Sequence, residues 1–157
     1  MRWLTPEKLH LTLVFLGATD PRRVDALKSA VRLVAARHAA FRVETGAAGG
    51  RINEWRGGVA WLRLGEGAAH VSDLALDVDR ELGSATYDAK RRPRPHLTVA
   101  RGATDEALRD LQAVADRLRL GWTAERLVLF RSHTERTGSR YEVLLSASLL
   151  QPQAREH

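Results

Sequence analysis

HLTLVFLGATD, His10 to Asp20, is answered later in the chain by HLTVARGATD, His96 to Asp105. Each copy begins His-Leu-Thr, continues through apolar residues and ends Gly-Ala-Thr-Asp. In extended backbone successive side chains point to opposite sides, so histidine and threonine share one face and the leucine between them takes the other. The first copy predicts a strand over Leu9 to Leu16, with His10, Thr12 and Val14 on one face and Leu9, Leu11, Leu13 and Phe15 on the other. The second predicts a strand over His96 to Arg101. One His-x-Thr is common by chance. Two, each in an apolar strand that leads into a capped helix, indicate an internal duplication with too few copies for a solenoid.

Working outward, Thr5-Pro6-Glu7 reads as a capped single turn that delivers the first strand. Asp20-Pro21 opens a helix with Val24, Leu27, Val31 and Val34 on its buried stripe. Phe41 to Thr45 reads as a short strand, and Gly46 to Gly58 as a glycine-rich mobile loop. Val59 to Leu64 is a strand; Val71, Leu74, Val78 and Leu82 mark a helix closed by Gly83. After the basic run Lys90 to Pro95 and the second strand, Gly102-Ala-Thr-Asp caps a helix with Leu108, Leu111, Ala115 and Leu118 on one stripe. Leu127 to Phe130 and Tyr141 to Ser146 close the chain as strands joined by the loop Thr134 to Ser139. The expectation is an α+β fold with largely antiparallel sheets, built as a bilobal duplicated unit with pseudo-twofold symmetry.

The chain has 157 residues, 44% of them hydrophobic and 28% charged, enough for one core and a single domain over 1–157. It has no cysteine, which excludes disulfides, thiol nucleophiles and thiolate metal sites. No apolar run is long enough for a membrane span, and the start MRWLTPEKLHLTL lacks the features of a signal peptide, so a cytoplasmic protein is expected. The formal charge of +6 is carried mainly by arginine. Guanidinium groups suit phosphate oxygens and bases, although an Ala- and Arg-rich composition arises equally from a GC-rich coding sequence.

Two His-x-Thr faces brought together would place two imidazoles and two hydroxyls around one pocket. Histidine titrates near neutrality, so one ring can accept a proton while the other donates one. The hydroxyls can hydrogen-bond oxygens on a centre that gathers negative charge. Hydrolysis of a strained cyclic phosphodiester matches that set. No metal-ligand motif, Walker loop or nucleophile elbow is present, and no cofactor is called for.

At these residues the sequence resembles the 2H phosphoesterase superfamily, and most closely the bacterial RNA 2′,3′-cyclic phosphodiesterases once called 2′-5′ RNA ligases. The resemblance rests on Pro6 to Gly17, on Arg94 to Arg101 and on the segment from Leu129 to Leu144. It implies two lobes that line a central groove, with helices outside and one His-x-Thr from each lobe. It further implies metal-independent opening of a 2′,3′-cyclic phosphate on RNA ends or small nucleotides to a 2′-phosphate. His10 would protonate the departing 3′ oxygen and His96 would deprotonate water. Thr12 and Thr98 would hold phosphate oxygens, assisted by Arg101. An odd offset from His96 puts Arg101 on the opposite face of an ideal strand, so this role requires a bulge or the strand's end. The chain departs from the family in lacking the usual strand and helix ahead of the first motif, and in having Pro93 where an aromatic residue often stands. A monomer is expected, with self-association if the short start exposes a sheet edge.

Trp55 is a candidate for stacking on a terminal base, or it covers the rim of the core. Arg91, Arg92 and Arg94 are candidates for the RNA backbone, or form a solvated charge run. Trp61 reads as core. Tyr141 reads as packing, and His38 as a residue favoured by a helix C-terminus. A non-catalytic RNA- or nucleotide-binding module and a 2′-5′ RNA ligase are the alternative functions.

Overall fold

The computed structural model describes residues 1–51, 58–83, 94–115, 117, 119–135 and 138–151. Mixed α and β elements with antiparallel strand pairs are observed, in two compact units. The first gathers Met1–Leu13, Arg42–Ser72 and Arg92–Trp122; the second gathers Val14–Phe41, Asp73–Arg91 and Thr123–His157. Both His-x-Thr segments belong to the first.

The first unit is built on five strands. They are β1 (Arg2–Trp3), β2 (Phe41–Arg51), β3 (Gly58–Leu64), β4 (His96–Ala103) and β5 (Gly121–Ala124), in the order β1-β4-β3-β2-β5. One sheet face is apolar. Ala48, Ala60, Leu62, Leu97, Val99, Ala100 and Ala103 cluster there with Ala115, Leu108 and Leu111 of helix α3 (Asp105–Ala115). The helix starts where expected, with the Thr104 hydroxyl accepting from the Ala107 N–H at 3.2 Å. Thr45 is fully buried. Its N–H donates to the Leu120 carbonyl at 2.8 Å and its hydroxyl accepts from the Leu120 N–H at 3.0 Å, so no polar atom is stranded.

The expected loop over Gly46 to Gly58 is corrected: residues 46–51 continue β2, while 52–57 lie outside the described residues. The glycines there meet packing rather than chain-reversal needs. A Cβ on Gly49 would lie 2.6 Å from the Trp61 indole nitrogen, and one on Gly50 would run into the Leu108 side chain. Glycine composition signals close approach as readily as a loop.

The strand over Leu9 to Leu16 is also corrected. Pro6–Lys8 form the expected single turn, of 3-10 type, and beyond it only Leu11 makes an isolated bridge. Alternation licenses extended backbone, but a ladder needs partners for successive residues, and β4 offers one position here. Thr5 makes no backbone cap; its hydroxyl hydrogen-bonds the Glu7 carboxylate and lowers that group's pKa. The short strands β1 and β5 were too brief to show a period in the sequence.

In the second unit Pro21–Arg23 form a 3-10 turn that runs into α1 (Val24–Ala35), capped by the Asp20 carboxylate, which accepts from the Arg22 N–H at 2.9 Å. The Arg22 guanidinium holds that carboxyl below its usual range. Leu27, Val31 and Val34 are buried as the spacing requires. The helix packs on the hairpin of β6 (Arg126–Glu135) and β7 (Gly138–Ser148), whose strands extend further into the expected loop than the apolar pattern indicated. Tyr141 packs against Phe130 with ring centroids 5.8 Å apart. Helix α2 (Ala68–Leu82) stops at Gly83, which has φ +56°. His38 does more than sit at a helix end: its Nε2 lies 3.0 Å from Asp77 Oδ2.

The two Gly-Ala-Thr-Asp copies turn alike, with φ +66° at Gly17 and +67° at Gly102. A Cβ at either position meets nothing within 4 Å, so only backbone strain opposes substitution. Gly102→Ala is therefore expected to lower unfolding stability by about 1–2 kcal/mol, measured by chemical denaturation.

Candidate active site

The site is assembled on the sheet face of the first unit opposite α3. Leu11 and Leu97 form an antiparallel bridge, and both are tied to the apolar cluster, Leu97 being 7% exposed. Antiparallel pairing of the two middle residues sets His10 across from Thr98 and Thr12 across from His96. Because the leucines point into the core, the two imidazoles and two hydroxyls share the other face. The duplicated triplets thus meet about a local twofold axis through their central residues.

The rings are held in the same manner. His10 Nδ1 is 2.8 Å from the Lys8 carbonyl, and His96 Nδ1 is 2.9 Å from the Arg94 carbonyl, each two residues upstream. A carbonyl only accepts, so Nδ1 carries hydrogen in both and Nε2 is the nitrogen that can exchange a proton. Proline shapes the backbone leading into each histidine: Pro6 starts the turn ending at Lys8, and Pro95 precedes His96 at a position that needs no ladder donor.

Arg101 joins this face through a bulge. On β3, Trp61 pairs with Thr98 and Ala60 pairs with Ala100, so Val99 is the extra residue on β4. Val99 and Ala100 are both buried in succession, and Arg101 pairs with Val59, which shares its face with Trp61. The extra residue reverses the alternation and returns Arg101 to the face of His96 and Thr98. The face rule for an ideal strand is overridden here because the bulge breaks the period.

Three residues on this face, Trp61, Arg2 and Arg63, escaped the sequence reading. Trp61 is half-buried rather than core, and its indole stands beside His96 with ring centroids 5.5 Å apart at 53°. Arg2 pairs directly opposite Arg101 and Arg63 pairs with His96, adding two further guanidinium groups. No sequence signal marked Trp61, because its place opposite Gly49 follows from strand pairing, and a two-residue strand offers none for Arg2. Arg94 is exposed and contributes its carbonyl to His96. Trp55, Arg91, Arg92 and Pro93 lie outside the described residues. Among the described residues no group of three or more His, Cys, Asp or Glu could hold a metal ion. Nor is any helix among them long and apolar enough to cross a membrane.

Comparison with known proteins shows the family. The family described as the 2′-5′ RNA ligase superfamily matches residues 3–136. An RNA 2′,3′-cyclic phosphodiesterase from Geobacillus stearothermophilus is 31% identical over 155 residues, covering 94% of this chain and 48% of the relative. One from Aquifex aeolicus is 27% identical over 103 residues, covering 64% of this chain and 54% of the relative. The chain spans about half the length of these curated relatives. Among solved structures, TT0787 of Thermus thermophilus is similar with a TM-score of 0.68 and 26% identity, covering 94% of this chain and 81% of that one. LigT of E. coli in its apo form is similar with a TM-score of 0.69 and 25% identity, covering 96% and 81%. A match of this extent, over a chain whose two His-x-Thr triplets face each other across one bridge, places the protein in the 2′-5′ RNA ligase superfamily.

Proposed function

We propose that this chain hydrolyses 2′,3′-cyclic phosphate ends of RNA or nucleotides to a 2′-phosphate, without a metal, by paired-histidine acid–base catalysis. The carrying observation is the Leu11–Leu97 bridge, which sets two equivalent His-x-Thr triplets side by side with both rings anchored through Nδ1. The names of the curated relatives support the substrate class.

In this reading His96 Nε2 takes a proton from water as the water oxygen bonds to phosphorus. The bond from phosphorus to the 3′ oxygen breaks, and His10 Nε2–H supplies the proton that oxygen needs. Thr12 and Thr98 donate hydrogen bonds to the non-bridging oxygens, and the Arg101 guanidinium offsets their charge. A five-membered cyclic diester is strained, so its opening is accessible to such groups alone. RNA ends are the polymeric substrate that a net charge of +6 favours.

The test is incubation with a 2′,3′-cyclic nucleotide and with a cyclic-ended RNA oligonucleotide, each with and without a chelator. The expected outcome is a 2′-phosphate product at a rate the chelator leaves unchanged. Binding without product would overturn the proposal in favour of a binding module. Product only in the presence of added metal would overturn the acid–base mechanism.

A further inference from the structure

We infer that Trp61 is a positioning residue that fixes the orientation of the His96 ring. This rests on the reading of His96 as the group that deprotonates water. Among the described residues the His96 ring makes one hydrogen bond, from Nδ1 to the Arg94 carbonyl, which leaves the imidazole free to swing about that contact. The indole beside it, with centroids 5.5 Å apart and planes at 53°, closes one side of that swing. Tilted aromatic pairs at such a separation are attractive, and an electron-rich indole also favours the charged imidazolium formed when water is deprotonated.

The indole is itself confined. Gly49 on β2 is its direct partner across the sheet. A Cβ there would lie 2.6 Å from Nε1, 3.2 Å from Cε2 and 3.3 Å from Cδ1, so the pyrrole edge rests against bare backbone. Gly49 is absent from the glycines of positive φ. Its lack of a side chain therefore serves the tryptophan and not the backbone. Gly49, Trp61 and His96 form a stack across three neighbouring strands, β2, β3 and β4, which carries the rigidity of the sheet to the imidazole.

The experiment compares Trp61→Leu, Trp61→Phe and Gly49→Ala with the unaltered chain. Turnover is read on a 2′,3′-cyclic nucleotide, and the tautomer of each histidine is read from ¹⁵N shifts of the imidazoles without substrate. Trp61→Leu is expected to lower kcat about tenfold, equivalent to about 1.4 kcal/mol of barrier, with KM changed by no more than about twofold. The His96 ring loses its preference for hydrogen on Nδ1 while the His10 ring keeps it. Trp61→Phe restores kcat to within about threefold. Gly49→Ala acts in the same direction as Trp61→Leu although both rings are present, because the methyl displaces the indole. An unchanged kcat together with an unchanged His96 tautomer in Trp61→Leu would overturn the inference. A raised KM at constant kcat would overturn it too, marking the indole as a substrate-stacking surface. If the unaltered chain shows no turnover, the catalytic reading fails, and the tautomer measurement still decides the role of Trp61.

Discussion

His96→Ala is expected to reduce kcat on a 2′,3′-cyclic nucleotide by about 10²- to 10⁴-fold, the span a positioned general base contributes. The far-ultraviolet circular dichroism and the unfolding midpoint should stay near those of the parent. His96 is exposed on the sheet face opposite α3 and, among the described residues, makes one hydrogen bond, to the Arg94 carbonyl, and one ring contact, to Trp61, so its removal costs the fold little. His10→Ala should produce a loss of similar size, because His10 stands in the equivalent position across the Leu11–Leu97 bridge. The double variant should be little worse than either single one, since one ring cannot complete a proton relay without the other. The pH–rate profile separates the roles: losing the base removes the limb on the acid side, and losing the acid removes the limb on the alkaline side. Either single variant retaining more than about a tenth of the parent rate would sink the paired-histidine assignment.

Leu97→Ala is expected to lower unfolding stability by about 2–5 kcal/mol, the cost of a truncated leucine in a packed core. Leu97 is 7% exposed and packs among Ala60, Leu62, Val99, Ala100 and the α3 residues. It is also the bridge partner of Leu11 and sits between His96 and Thr98. The cavity should therefore loosen the contact that brings the two triplets together, and kcat should fall under conditions where the protein remains folded. Leu97→Met, which conserves volume, should cost less than about 1.5 kcal/mol and keep turnover. Denaturant melts of the three chains beside their turnover would check this. A stable, fully active Leu97→Ala would show that the bridge does not hold the site together.

Much of the candidate site was legible because strand alternation is local. His10 with Thr12, and His96 with Thr98, fall on common faces wherever no bulge interrupts the extended backbone, and the repeat of the triplet implied that the faces meet. Their leucines were legible as core anchors for the same reason. Helices α1 and α3 and their caps at Asp20 and Thr104 could be read from apolar spacing and capping chemistry. The two turns at Gly17 and Gly102 share one φ because the same four residues build both.

Other features are not local, and no period in the chain encodes them. Whether Leu9 to Leu16 forms a ladder depends on how much of the β4 edge is available, and one bridge is all that results. Whether Gly49 and Gly50 belong to a loop or a strand depends on Trp61 and Leu108, which lie elsewhere in the chain. Pairing of β3 with β4 places one surplus residue at Val99, and that register carries Arg101 to the site face against its parity in the sequence.

Residue type and alternation thus marked by themselves which groups are candidates to move protons and hold phosphate, and the shared side of each histidine and threonine pair. The tertiary structure alone decided which of them share a surface with Trp61, Arg2 and Arg101. Register and bulges are settled by side-chain packing between strands distant in sequence, and a single surplus residue exchanges one face for the other.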